Sequence, residues 1–362
     1  MDRRTFLKQL KWIGYPLLIG SATSLPLASL ASQTTPIPLA VTPTPDAEKL
    51  RIRLIGTGGL GGRMVAEIAQ SALLIPSDDV HIDYIAVDTD RRALDSLRLT
   101  GLHTVWIPGP HGSSGACIKP ETARQLMESH AGAMPSFDGV AMTILISGFG
   151  RGAGTGLGQV IAEQSRKAGV FTAAFVTEPF SFEIGQSDLS HELKLLSRAS
   201  NSTMTIAQDE SDTDALMIDV MKKAERELQR RVRLLVDTIA GSSMLIGFDL
   251  EDLRTVFQGH GITASGYWSG PIADVPFDPL GLSSAAALEV IEQLPHRGSA
   301  KAALVMFSGG SGFQLEQLRC CVTTLRAWLP ADLLLAYQAR IDDTMDSNRF
   351  SLDVWLPNYT SL

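Results

Sequence analysis

Gly148-Phe149-Gly150-Arg151-Gly152-Ala153-Gly154-Thr155-Gly156 places five glycines in nine positions, directly behind the apolar run Val140-Ala141-Met142-Thr143-Ile144-Leu145-Ile146-Ser147. The run reads as a buried strand, and Gln159-Val160-Ile161-Ala162-Glu163 beyond it as the start of a helix. A glycine-dense turn at such a junction lets backbone N–H groups approach an anion, and the helix N-terminus adds partial positive charge. A second turn of this kind, Gly56-Thr57-Gly58-Gly59-Leu60-Gly61-Gly62, follows the strand-like Leu50-Arg51-Ile52-Arg53-Leu54-Ile55. Glycine-rich turns can be no more than sharp connections. Two of them, each between a strand and a helix, favour a nucleotide site over that reading.

Outward from these turns, strand-like and helical patterns alternate between Leu50 and Gln208. Strands are predicted at 50–56, 80–87, 140–147, 170–176 and 202–207, and helices at 62–73, 90–99, 120–130, 157–168 and 188–198. The alternation predicts an α/β fold, a mainly parallel sheet with helices on both faces, in which ligands sit at the carboxyl ends of the strands. A long amphipathic helix follows over 214–240, with Leu228, Val232, Leu235 and Val236 on its apolar stripe and Gly241 as its C-cap. Its other face carries Lys222, Lys223, Arg226, Arg230, Arg231 and Arg233, read as a solvated surface. Strands at 301–307, 333–340 and 350–356, with a helix at 314–328, make a second, smaller α/β domain.

With 362 residues, 44% hydrophobic and 19% charged, the chain is long enough for two domains with cores of their own. Its formal net charge of −8 argues against a sequence-independent grip on nucleic acid. Cys117, Cys320 and Cys321 have no metal-ligand spacing and read as core thiols; no metal site is expected from side chains alone. Arg3-Arg4-Thr5-Phe6-Leu7-Lys8 resembles the twin-arginine export motif, and Ser29-Leu30-Ala31 offers a signal-peptidase site. The expectation is a signal peptide over 1–31 and a Pro/Thr-rich linker over 32–49, then a nucleotide-binding domain over 50–213, a central helix over 214–241 and a C-terminal domain over 242–357. Export would make the protein periplasmic. An uncleaved segment would tether it to the membrane, and a chance Arg-Arg would leave it cytoplasmic.

In order and spacing these stretches resemble FtsZ, the bacterial tubulin homologue, over roughly residues 50–357. Gly150-Arg151-Gly152-Ala153-Gly154-Thr155-Gly156 stands at the family's signature loop, Gly56–Gly62 at its first phosphate loop and Tyr84-Ile85-Ala86-Val87-Asp88-Thr89-Asp90 at its second. Thr177–Glu183 is similar to the ribose loop, and Phe248-Asp249-Leu250-Glu251-Asp252 to the synergy loop. The resemblance implies a Rossmann-like nucleotide domain joined by the central helix to the smaller α/β domain. It implies GTP, with Mg2+, as the ligand, and filament formation of the kind used in cell division. The implied nucleotide contacts are Gly58, Gly59, Gly61, Gly62, Asp88, Gly150, Gly152, Gly154, Thr155, Gly156, Glu183 at the ribose and Gln208 near the base. Asp249 and Asp252, from the next subunit head to tail, are the implied catalytic carboxylates; on residue type alone they read as helix caps.

Departures from the family bear on activity. Gly247 stands where the synergy loop has asparagine, and Ser187 where the ribose loop has a phosphate-side arginine. Met221 and Arg226 align with a phenylalanine and an aspartate that meet guanine. A guanidinium donates only, so loss of the aspartate relaxes base selectivity by about 1–3 kcal/mol per unsatisfied group. Arg151 is bulky and cationic within the signature, and either pairs with a phosphate or blocks the loop. The expected activity is slow or conditional GTP hydrolysis. A nucleotide-dead scaffold is the alternative, and an NAD-dependent oxidoreductase a third reading, since Gly56-Thr57-Gly58-Gly59-Leu60-Gly61 fits a dinucleotide fingerprint with Asp88 at the ribose.

Overall fold

The computed structural model describes residues 49–71, 74, 79–97, 99–109, 112, 115, 118–186, 189–208, 214–240, 244–272, 284–295 and 297–359. The stretch read as an export motif, the expected 1–31 signal, nearly all of the expected linker, Cys117, Ser187 and Gly241 lie outside them. Residues 47–362 form one compact unit. In chain order its elements are β1 (Leu50–Thr57), α1 (Gly58–Gln70), β2 (Val80–Asp88), α2 (Arg91–Ser96), β3 (Leu102–Trp106), α3 (Pro120–Ser129), β4 (Met142–Gly148) and α4 (Gly152–Lys167). Then come β5 (Phe171–Thr177), a 3-10 turn (Ser181–Gln186), α5 (Leu189–Ala199), β6 (Ser202–Ile206) and α6 (Met217–Ala240). The remainder is β7 (Met244–Ile246), α7 (Leu250–Val256), β8 (Ile262–Pro271), α8 (Ala285–Gln293), β9 (Ala302–Gly309), α9 (Leu315–Trp328), β10 (Leu334–Ile341) and β11 (Arg349–Tyr359).

One eleven-stranded sheet runs β3-β2-β1-β4-β5-β6-β8-β11-β9-β10-β7. Its first six strands are all parallel, with Leu54 facing both Tyr84 and Ile144 across the ladders. A single pair, Thr203 with Ile262, joins this half to β8. Beyond it the sheet is mixed, β11 running antiparallel to both β8 and β9. Alternation along β1 and β4 sends Ile52, Leu54, Ile144 and Ile146 to one face, where α1 and α6 cover them, and Ile55 and Leu145 to the other, under α3, α4 and α5. A third core, around Phe307, Phe350 and Leu352, is closed by α8 and α9.

Helix α6, 24 residues and so about 36 Å long, buries Leu228, Val232 and Leu235 as its periodicity predicts. The solvated reading of its basic face holds only in part. Lys222, Lys223 and Arg226 are exposed, but Arg230 and Arg231 both pair with Glu227, and Arg230 reaches Asp353 of β11 at 2.7 Å and lies over the Tyr267 ring. Asp353 is buried, and burial pushes its carboxyl up to about 6 against the pull of Arg230. An acid whose folded pKa is raised contributes stability fully present below its unfolded pKa and lost as pH rises through the folded value. Between pH 4 and 7 the wild type should therefore lose about 2 kcal/mol relative to Asp353→Asn. Paired urea titrations at pH 4, 5, 6 and 7 test this; parallel curves for the two proteins would refute it.

Several boundaries differ from the sequence expectation. Helix α1 begins at Gly58 instead of 62, and α4 at Gly152 instead of 157, so Gly58–Gly62 and Gly152–Gly156 form the first turns of helices, while Gly56 and Gly148 end strands and Gly150 turns the chain ahead of α4. Strands β3, β7 and β8 and helix α8 carried no assignment. β8, Ile262-Thr263-Ala264-Ser265-Gly266-Tyr267-Trp268-Ser269-Gly270-Pro271, is rich in small and polar residues and resembles a loop in composition. Its antiparallel pairing with β11 makes it a strand.

Candidate nucleotide site

β1, β4, β5 and β6 all end at one edge of the sheet, and the glycine runs follow the first two. At that edge Thr57 Oγ1 and Ser147 Oγ lie 2.6 Å apart, and Thr57 Oγ1 donates to the Gly154 carbonyl at 2.9 Å. The N-terminus of α1 therefore sits against that of α4. Gly58 lies in the left-handed region at φ +69°, and a Cβ there would stand 2.7 Å from Gly154 N.

The glycines divide by what surrounds them. A Cβ at Gly56 would meet the Gly61 carbonyl oxygen at 2.0 Å, and one at Gly61 the Ile146 carbonyl oxygen at 2.3 Å. At Gly154 it would meet the Gly148 carbonyl oxygen at 2.2 Å, and at Gly156 the Pro120 carbonyl oxygen at 2.1 Å. Close backbone packing alone requires glycine at these four positions. At Gly59 a Cβ would meet nothing within 4 Å, and at Gly62 its nearest neighbour would be the Leu97 side chain at 3.1 Å. Gly152 is buried in the first turn of α4.

Neither helix is capped in the usual way. The N-cap residues Thr57 and Arg151 accept no hydrogen bond from their helices, and neither first turn carries an acid. Helices α2, α7 and α8, by contrast, are capped by Asp90, Asp249 and Ser284. Two adjacent, acid-free N-termini concentrate partial positive charge at one point. Beside them Thr155 Oγ1 is buried without a hydrogen-bond partner. Gln208 Nε2 donates to the Glu178 carbonyl, while its Oε1 is likewise buried and unpartnered. A buried polar atom left unpaired is costly, so both are places where a ligand's hydrogen bonds would be gained.

Glu183 lies in the 3-10 turn after β5, where its Oε2 accepts from Phe180 N–H and its Oε1 from Arg151 Nη2, each at 3.4 Å. Gly150, at φ +100° with Pro179 against it, turns the chain so that Arg151 reaches that carboxylate. Nothing in the sequence pattern pointed to this pair. Asp88 is buried at the end of β2, where its Oδ1 accepts from Asp90 N–H; burial raises its pKa against that bond. Among the described residues no group of three or more His, Cys, Asp or Glu is placed to hold a metal ion. Two adjoining clefts of about 440 and 400 Å³ open between α6, β8 and α8, the larger reaching Ile206 and Ala207 at the end of β6; no glycine-turn residue lines either.

Asp249 and Asp252 lie elsewhere. They form a reciprocal capping box on α7, Asp249 Oδ1 accepting from Asp252 N–H at 2.8 Å and Asp252 Oδ2 from Asp249 N–H at 3.1 Å. Arg254 of the same helix donates to the Gly169 carbonyl, in the turn that leads into β5. That turn lies beyond the far end of α4, whose 16 residues span about 24 Å from the glycine turns. The carboxylates thus sit at the opposite edge of the sheet, both exposed and each with one oxygen outside the box. Gly247, just before them, is open, with nothing within 4 Å of an added Cβ.

The model of the tubulin/FtsZ family GTPase domain matches residues 51–210. The cell division protein FtsZ 2 of Rhizobium meliloti is 28% identical over 306 residues, 82% of this chain and 84% of that protein. In the solved structures, an empty FtsZ dimer from M. jannaschii superposes with a TM-score of 0.68 at 21% identity, covering 85% of this chain and 88% of its own. CetZ2 from Haloferax volcanii, described as a GTPgS-bound protofilament, has a TM-score of 0.64 at 20% identity and covers 85% and 93%.

Proposed function

The chain is a member of the FtsZ/tubulin superfamily, and from that premise we propose that it binds GTP at the paired N-termini of α1 and α4, assembles head to tail and hydrolyses the nucleotide slowly at the junction between copies. The observation that carries this reading is the pair of adjacent, uncapped, acid-free helix starts, with Gly59 open and Thr155 Oγ1 unpartnered beside them. Phosphates would lie on the backbone N–H groups of 58–62 and 152–156, the sugar hydroxyls on Glu183 and the base near Gln208 Oε1, which suits a donor edge such as that of guanine. Mg2+ would arrive on the phosphate oxygens and offset their charge during transfer to water.

The placement of Asp249 and Asp252 supports assembly, because the length of α4, about 24 Å, lies between the glycine turns and the Gly169 turn that their helix touches. In a head-to-tail stack they face the nucleotide of the neighbour, where a carboxylate orients the attacking water. Exposed apolar side chains occur toward both ends. Ile118, Phe182, Leu216, Met217 and Ile218 are exposed on segments near the glycine-turn edge, and Leu245 next to the carboxylates in the chain.

Calorimetric titration of the purified protein with GTP and with ATP, alongside phosphate release at several protein concentrations, tests the proposal. Micromolar GTP binding with release rising more steeply than protein concentration is expected. A nucleotide-free scaffold is the second reading, favoured by the Arg151–Glu183 pair, which occupies the proposed sugar acceptor. Binding of neither nucleotide would establish the scaffold and overturn the GTPase.

A further inference from the structure

We propose that Arg151 is a phosphate clamp held in reserve by Glu183, so that arrival of a nucleoside polyphosphate exchanges one ion pair for another. This rests on the nucleotide reading above. A cradle built of backbone amides at two helix ends brings only partial charges to a ligand carrying three or four negative charges. Among the side chains described above at the rim, Arg151 supplies a full positive charge. It is the N-cap of α4 in extended conformation, and its side chain is 80% exposed.

Its backbone position is set by neighbours on both sides. Phe149 is buried, its N–H donating to the Thr177 carbonyl, and Gly150 turns in the left-handed region against Pro179. The guanidinium is therefore delivered to the mouth of the cradle, between the signature turn and the 3-10 turn. There its bond to Glu183 is long, 3.4 Å, and among the described residues the guanidinium makes no other hydrogen bond or ion pair. An exposed pair of that length contributes little, whereas a guanidinium on phosphate oxygens is a strong, charge-assisted and often bidentate contact. Breaking the first to form the second also frees the Glu183 carboxylate to accept from sugar hydroxyls. One side-chain movement thus completes both ends of the ligand.

The test is calorimetry of wild type, Arg151→Gly and Arg151→Lys with GTP and, separately, with guanosine. Glycine is a good N-cap and the Arg151 side chain is largely exposed, with one long ion pair, so the variants should melt with the wild type. GTP affinity is expected to fall about tenfold or more in Arg151→Gly and by less in Arg151→Lys, with weaker dependence on salt in the glycine variant. Guanosine affinity is expected to hold or rise, because Glu183 is released. Wild-type GTP binding with undiminished affinity in Arg151→Gly would overturn the clamp and leave the nucleotide reading intact. A wild type that does not bind GTP would overturn both.

Discussion

Asp252→Asn should lower phosphate release about 100-fold or more while leaving GTP affinity within about twofold, the size of effect expected when a group that positions the nucleophile is lost. Asparagine is the informative substitution because Asp252 has two roles. Its Oδ2 accepts from Asp249 N–H in the capping box of α7, and an amide oxygen can keep that bond. Alanine would remove it, at a cost of about 1 kcal/mol to a seven-residue helix. Affinity should survive because the carboxylate belongs to the far edge of the sheet and not to the cradle of its own chain. The same placement predicts that Asp252→Asn subunits mixed into wild type slow the wild-type reaction, each poisoning the nucleotide of its neighbour. Equal loss of binding and turnover would place Asp252 in the binding site or the fold and defeat the shared-site mechanism. Unchanged turnover would return both aspartates to a capping role alone.

Gly154→Ala and Gly59→Ala should change stability in opposite directions, although both lie in glycine-rich helix starts. A methyl at Gly154 would sit 2.2 Å from the Gly148 carbonyl oxygen, a backbone atom within the ladder to β5 that cannot swing away. Forcing the two apart should cost about 1–3 kcal/mol or more and spread the α1–α4 pair on which the cradle depends. A methyl at Gly59 meets nothing within 4 Å, and alanine is the better helix former by up to about 1 kcal/mol. Gly59→Ala should therefore be as stable as wild type or slightly more so. Its loss should appear in GTP affinity, about tenfold, because the methyl occupies the space the phosphates approach. Urea denaturation and calorimetry on the same preparations read both quantities. A Gly154→Ala protein as stable as wild type would show that the close approach at Gly148 is not maintained in solution.

Much of the parallel half was legible because its signals are local. Apolar runs such as Met142–Ile146 and Phe171–Val176 are long enough to read as strands buried on both faces, and the i, i+4 spacing of Leu228, Val232 and the residues after them marks the long helix. The C-terminal half was less legible. β8 alternates small and polar residues, and β7 has three residues, so neither carries enough apolar contrast to stand out before its partner strand is known.

The same division runs through the site. The residue types at the cradle, two glycine runs behind two buried strands, were determined by sequence alone, and with them the edge of the sheet at which a ligand would lie. Tertiary structure decided which glycines are there for packing and which leave open space. Gly56 and Gly154 each face a carbonyl across their own strand-to-helix turn, whereas Gly61 and Gly156 face the Ile146 and Pro120 carbonyls of other elements, an approach no local pattern encodes. It also decided that Asp249 and Asp252 cap a helix at the far edge, and that Arg151 rests on Glu183, 32 positions later. Local chemistry follows from neighbours in the chain. Which polar atom is paired, which is orphaned and which pairs of groups can meet depend on long-range packing of the sheet and its helices.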